Sequence, residues 1–189
     1  MLSSQRGRLM HAALVATAKK GTANLVVADV TTGSGVSSRT FYEQFEGLDD
    51  CFAQAYATAN EVLMAAIATS AAGEPDGEPR IHAGVKTYVE VIAGEPLVGA
   101  ACLIHAAAFS PELAEASAGT LGEFAAMIAG TWQRATGTRT SAAARRRARL
   151  AVGVAETIAR DRLARGEASH LRSDVPAIVS AMLAILAGK

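Results

Sequence analysis

Side chains able to make or break bonds are few and dispersed along this chain. His11, His82, His105 and His170 fall on four separate stretches, and none stands at a metal-ligand spacing. Glu112 and Glu115 are three apart, the spacing of a solvated helix face rather than of a confronting acid–base pair. No nucleophile elbow, phosphate-binding loop or H-E-x-x-H string occurs. These residues argue against an enzyme, a metal site and a bound cofactor. One stretch does gather polar groups densely: Ser37, Ser38, Arg39, Thr40, Tyr42 and Gln44. A guanidinium fork, four hydroxyls and an amide make no bonds, but they can read a polar, anionic surface by reversible hydrogen bonding.

The elements that position those groups can be read from the surrounding residues, VVADVTTGSGVSSRTFYEQF from Val26 to Phe45. Ala28, Asp29 and Val30 belong to a short helix that Gly33-Ser34-Gly35 should end, because two glycines in three weaken a helix and permit positive φ. Val36 plugs the turn. Ser37 can cap a second helix through its hydroxyl. In that helix, Ser38 to about Gln44, Phe41 points inward with Phe45, and Ser38, Arg39, Thr40, Tyr42 and Gln44 project elsewhere. Short helix, tight turn and short helix form a helix-turn-helix, whose second helix lays its first residues against base edges in the major groove of DNA. On that geometry Arg39 would pair with a guanine, while Thr40 and Tyr42 would hold phosphates.

The run GVSSRTFYEQF, with Leu9-Met10-His11-Ala12-Ala13-Leu14 and Gly21 upstream, resembles the tetracycline-repressor (TetR) family of one-component transcriptional regulators. The likeness extends roughly from Arg8 to Phe52. It implies a DNA-binding domain over residues 1–47 and a helical ligand-binding and dimerisation domain over residues 48–189. It also implies a homodimeric repressor on a palindromic operator in double-stranded DNA, with a small ligand shifting the spacing of its two reading heads. Two positions depart from the family's usual pattern. Val26 stands where Ser or Thr commonly binds a phosphate, and Leu48 stands where Lys commonly does. The departures define an alternative: a helical small-molecule-binding or dimerisation protein whose DNA-binding domain has degenerated.

Composition agrees with an all-α fold. Half the residues are apolar and alanine is abundant, which favours helix, and no run of alternating β-branched residues marks a strand. Net charge is zero, but it is unevenly spread. The first 56 residues carry five bases and five acids, while Ala57 to Gln133 carries two bases and nine acids. Basic charge returns with Arg145, Arg146, Arg147 and Arg149 at the start of a helix. The N-terminus lacks a signal-peptide pattern, and no uninterrupted apolar run approaches the ~20 residues of a membrane span. A cytoplasmic protein is expected, with Cys51 and Cys102 reduced and buried as small apolar residues.

About nine helices follow in order. The first runs from about Ser4 to Lys20, buries Leu9, Ala12, Ala13 and Ala16, and offers Arg6 and Arg8 at its start to a DNA backbone. Helix four runs from near Leu48 to about Ala71, and helix five from about Pro79 to Ala93. Helix six, Leu97 to Phe109, is apolar nearly all round and should be buried. Ser110-Pro111-Glu112 opens helix seven. Helix eight covers about Ala142 to Arg165, and Ser173-Asp174 is expected to cap helix nine. Bulky residues among alanines suggest a cavity lined by Tyr88, His105, Phe109, Phe124, Met127 and Trp132, suited to a small apolar ligand. The acid excess there favours a neutral or cationic one. Leu150, Val154 and Ile158, with Ile178, Met182 and Leu183, are the expected dimer interface.

Overall fold

The computed structural model describes residues 4–139 and 141–188. Among these residues nine α-helices and a few short turns of other helix types account for the regular structure, with no strand. We number the helices α1 Gln5–Lys20, α2 Val27–Ser34, α3 Ser38–Gln44, α4 Leu48–Ala72, α5 Glu78–Gly94, α6 Pro96–Ala100, α7 Pro111–Thr136, α8 Ala142–Ala164 and α9 Leu171–Ala187. Two compact units arise, one from residues 1–61 with 95–116, the other from residues 62–94 with 117–189.

In the first unit α1 is central, touching α2, α3 and α6. Leu9, Ala13 and Leu14 of α1 are fully buried together with Val30 of α2, Phe41 of α3, and Cys51 and Phe52 of α4. Phe52 stacks on Phe109 at 4.2 Å between ring centroids. Burial of a side chain as large as Phe41 contributes about 2–3 kcal/mol, so this core fixes where α3 stands. Helix six departs from expectation. Only Pro96–Ala100 is α-helical; Ala101–His105 is a π-helical turn and Ala106–Ala108 a 3₁₀ turn. Ala101 and Ala106 are fully buried, but Cys102, Leu103, Ile104 and His105 are only half-buried. The wider and then tighter winding rotates the apolar residues out of one regular stripe, so periodicity overstated their burial.

The second unit is built on α5, α8 and α9. Ile81, Val85, Val89 and Ile92 of α5 face Ala148, Ala151, Val152, Ala155 and Ala159 of α8 and the apolar stripe of α9. The alanines bring the helix axes close, which leaves the larger residues of α5 and α9 to fill the space. Asp76 fastens the turn before α5: it accepts from Arg134 at 2.9 and 3.0 Å, from Arg80 at 2.8 Å and from the Thr131 hydroxyl at 2.9 Å. Gly77 is required there. Its φ is +97°, and a Cβ at this position would meet the Ala135 Cβ at 2.8 Å. At the other end Arg162 bridges Asp174 and Glu167.

This clasp corrects the expected start of helix nine. It begins at Leu171; Ser173 donates back to the His170 carbonyl, and Asp174 is held by Arg162 instead of capping. By length and composition Ala168–Ala187 is apolar enough to cross a membrane, contrary to the expectation that no segment approaches a span. Yet Leu171, Val175, Ile178, Val179, Met182 and Leu186 are buried in the chain's own core, as in the central helix of a folded domain.

Candidate nucleic-acid interface

The element expected to read DNA is α3, and each end of it has a local cause. Ser37 is extended (φ −68°, ψ 153°) and its hydroxyl accepts the Thr40 N–H at 3.1 Å, satisfying one of the helix's open donors. Phe45 ends the helix in extended conformation and is buried. The turn before α3 needs one glycine rather than two. Gly35 is left-handed with φ +65°, whereas Gly33 continues α2. A Cβ on Gly33 would meet that of Ala12 at 3.5 Å, an ordinary contact, so nothing at this position requires glycine. Asp29 fixes the start of α2 by accepting the Val26 N–H at 3.1 Å and pairing with Lys20. The Lys20 ammonium, first of all, and then that backbone N–H hold the Asp29 carboxyl below the usual range.

Phe41 is fully buried, and Tyr42 stands edge-on to it at 5.3 Å with its own ring exposed. Ser37, Ser38 and Arg39 are exposed, Thr40 is half-exposed, and its hydroxyl lies 3.0 Å from that of Ser37. The Arg39 side chain is 88% exposed, and its Nε donates to Glu43 at 2.9 Å. Gln44 is exposed but drawn aside: Arg6 donates to its carbonyl at 2.8 Å and to its Oε1 at 3.3 Å. The structure therefore brings Ser37, Ser38, Arg39, Thr40 and Tyr42 onto one short open element, with Gln44 at its flank.

Arg6 itself departs from the expectation that it is offered to DNA. Its guanidinium sits 4.5 Å above the Phe45 ring and also donates to Gln54. Gln54 in turn donates to Asp50 at 2.6 Å, and Asp50 accepts the Glu46 N–H at 3.0 Å. Arg6 thus ties the start of α1 to the end of α3 and to α4. Arg8 donates to the Ser34 carbonyl at 3.2 Å. No pattern in the sequence announces this clasp, since an arginine in a first turn is most often solvated. Val26 is half-exposed, an apolar side chain at the edge of the element.

The residues expected to line a ligand cavity are all half-buried but divided. His105 and Phe109 belong to the first unit, and Tyr88, Phe124, Met127 and Trp132 to the second. In the second, Tyr88 meets Phe124 edge-on at 6.5 Å. An open groove of about 700 Å³ runs along α5, bordered by Ser70, Glu74, His82, Lys86, Thr87 and Glu90, and includes none of the six. On the expected dimer face, Leu150 is 57% exposed, and Val154, Ile158 and Leu183 are half-buried. Ile178 and Met182 need correction. They are 0% and 1% exposed within the single chain, packed against its own helices, so no partner can reach them. The open side of α9 carries Ala177, Ser180 and Ala184 instead.

The described residues are helical throughout their regular structure and present a capped helix-turn-helix near the N-terminus. Solved structures share that fold over nearly the whole chain. A fatty acid degradation regulator, FadR, from Bacillus halodurans superposes with a TM-score of 0.85 at 14% identity, covering 96% of this chain and 95% of that one. The transcriptional regulator FadR from Bacillus subtilis, solved in complex with stearoyl-CoA, gives 0.79 at 13% identity over 93% and 96%. A TetR-like transcriptional regulator from Rhodococcus sp. RHA1 gives 0.77 at 14% identity over 98% and 97%. The fold is therefore that of TetR-like regulators, as the resemblance of GVSSRTFYEQF implied. No protein-family model matches the chain, and no curated protein does.

Proposed function

We propose that this protein is a ligand-responsive DNA-binding transcriptional regulator, a repressor that binds a palindromic operator as a homodimer. The observation that carries the reading is α3: seven residues, capped by Ser37, anchored by fully buried Phe41, with Arg39 open to solvent at its first turn. A short anchored helix holding a solvent-exposed guanidinium outward suits end-on pairing with guanine O6 and N7 in a major groove. Residues 1–47 would serve as the reading domain and residues 48–189 as the ligand-binding and dimerisation domain. The wide likeness in fold to regulators supports this division of labour.

The ligand would be a small molecule with a substantial apolar part, received among Tyr88, Phe124, Met127 and Trp132 of the second unit. One regulator of the same fold holds stearoyl-CoA, which makes a long-chain acyl thioester the first compound to try, ahead of the neutral and cationic molecules that local charge favours. The ligand must bind more tightly to the conformation whose reading heads are wrongly spaced, or it shifts nothing. The dimer face would be the outward side of α8, Leu150, Val154 and Ile158, with Leu183 and the open alanines of α9. Function at DNA places such a protein in the cytoplasm. The test is a gel shift on the DNA upstream of its own gene, titrated with stearoyl-CoA, stearate and neutral or cationic amphiphiles. A shifted band that one of these compounds dissolves is expected; no shift at any concentration refutes the reading.

A degenerate reading domain remains the competing account, and specific observations favour it. Val26 places an apolar side chain where a phosphate-binding hydroxyl would help, Arg6 is turned away, and the first 56 residues have no net positive charge. Phosphate neutralisation supplies much of any DNA affinity. Under that account the same gel shift is negative while the small molecules still change the Trp132 fluorescence.

A further inference from the structure

The crest of α3 is shared by two side chains of opposite charge, of which only Arg39 has been given a part. With 3.6 residues per turn, a residue two positions before or after another stands about 160° round the helix from it. Arg39 and Glu43 are two before and two after Phe41, the side chain that anchors α3 in the core at 0% exposure. They therefore straddle the direction facing straight out of the protein. Their contact is direct, Nε to Oε1 at 2.9 Å, and both are open, at 88% and 53% side-chain exposure. The neighbours are less available. Ser37 and Thr40 spend their hydroxyls on the cap and on each other, and Gln44 is held back by Arg6.

We infer that Glu43 is a second base-reading residue, which together with Arg39 recognises a guanine and a cytosine in one segment of the major groove. The inference rests on the DNA-binding reading above. With Nε engaged by Glu43, the two terminal amino groups of the guanidinium remain as a pair of donors for a ligand. That pair matches O6 and N7 of guanine. Glu43 is an acceptor only, and the major-groove donor of cytosine is its N4 amino group, so a carboxylate beside the guanidinium selects cytosine. The same carboxylate excludes alternatives. Set against thymine O4, guanine O6 or the N7 that flanks the adenine amino group it would place acceptor on acceptor, a contact that discriminates by repulsion. The pair also accounts for an acid on the element that must approach phosphates: its cost in overall affinity is exchanged for selectivity.

The experiment is selection from a pool of duplexes with a randomised core, performed in parallel with the unmodified protein, Arg39→Ala and Glu43→Gln. Thermal melting is run alongside, and both substitutions should leave it unchanged, since the pair is solvent-exposed. The unmodified protein is expected to enrich a guanine and a cytosine within each half-site. Arg39→Ala should lose the guanine. Glu43→Gln should lose about tenfold of its preference for cytosine and accept adenine there, because an amide can both donate and accept. An enrichment profile for Glu43→Gln identical to that of the unmodified protein overturns the inference, leaving the pair a solvated ion pair. An unmodified protein that enriches nothing overturns the regulatory reading beneath it, so the two failures are told apart.

Discussion

Replacing Arg6 by alanine separates two accounts of the first turn of α1. If Arg6 is a clasp, the substitution removes a charged donor from the Gln44 carbonyl at 2.8 Å and a cation from the Phe45 ring at 4.5 Å. A hydrogen bond from a charged group contributes about 1.5 kcal/mol and a partly exposed cation–π contact about 0.5 kcal/mol. The expected loss is about 2 kcal/mol, a drop in melting temperature of roughly 4–8 °C for a chain of this size. The same arginine as a phosphate contact would behave differently. Its loss would lower the slope of log affinity against log salt by about one unit and leave melting nearly unaltered. Melting by far-UV circular dichroism and anisotropy titrations at several salt concentrations measure both quantities. A melting temperature within about 1 °C of the unmodified protein, together with a lowered salt slope, would refute the clasp.

Acid should loosen the second unit through Asp76. The guanidinium of Arg134 beside it, with the Thr131 hydroxyl, holds its carboxyl below the usual range, against the opposing effect of burial. A carboxyl whose folded pKa is depressed adds stability above its unfolded pKa of ~4, and that stability is lost as pH falls through the folded value. Urea midpoints measured from neutral to acid pH should therefore fall less steeply for Asp76→Asn than for the unmodified protein, from a lower start; parallel curves would contradict this. Burial pushes the Cys51 and Cys102 thiols up to about 12, so neither should react with a thiol reagent at mildly alkaline pH until denaturant is added. Rapid native labelling would show that one of them is accessible. Leu150→Glu should turn a dimer into a monomer by light scattering, because the dimer would bury an unpaired carboxylate. A variant that stays dimeric moves the interface elsewhere.

Local chemistry made much of the fold legible. Ser37 and Ser141 cap α3 and α8 through their hydroxyls, and the Ser110 hydroxyl accepts from Leu113 in the first turn of α7; each can be recognised as a small polar residue before an apolar period. Phe41 and Phe45 are readable as the inner side of α3 because their spacing of four puts them on one helix face. What escaped the sequence depends on contacts between distant residues. The Arg6 clasp joins residues 38 and 48 positions apart. The start of α9 depends on Arg162 claiming Asp174. Ile178 and Met182 looked available because α9 is apolar on two sides, and only the packing of α5 and α8 decides which side is inward. The π-helical turn at Ala101–His105 leaves no mark in an apolar run, since every register there buries similar side chains.

The central claim is that two copies of α3 read DNA together. Hydroxyl-radical footprinting of the unmodified protein on a duplex enriched by selection tests it most directly. The account predicts two protected patches related by a dyad, with centres about 34–36 Å apart, one helical turn, or a multiple of it. A single patch would contradict the paired reading heads, and an unprotected duplex would contradict DNA recognition by this protein altogether.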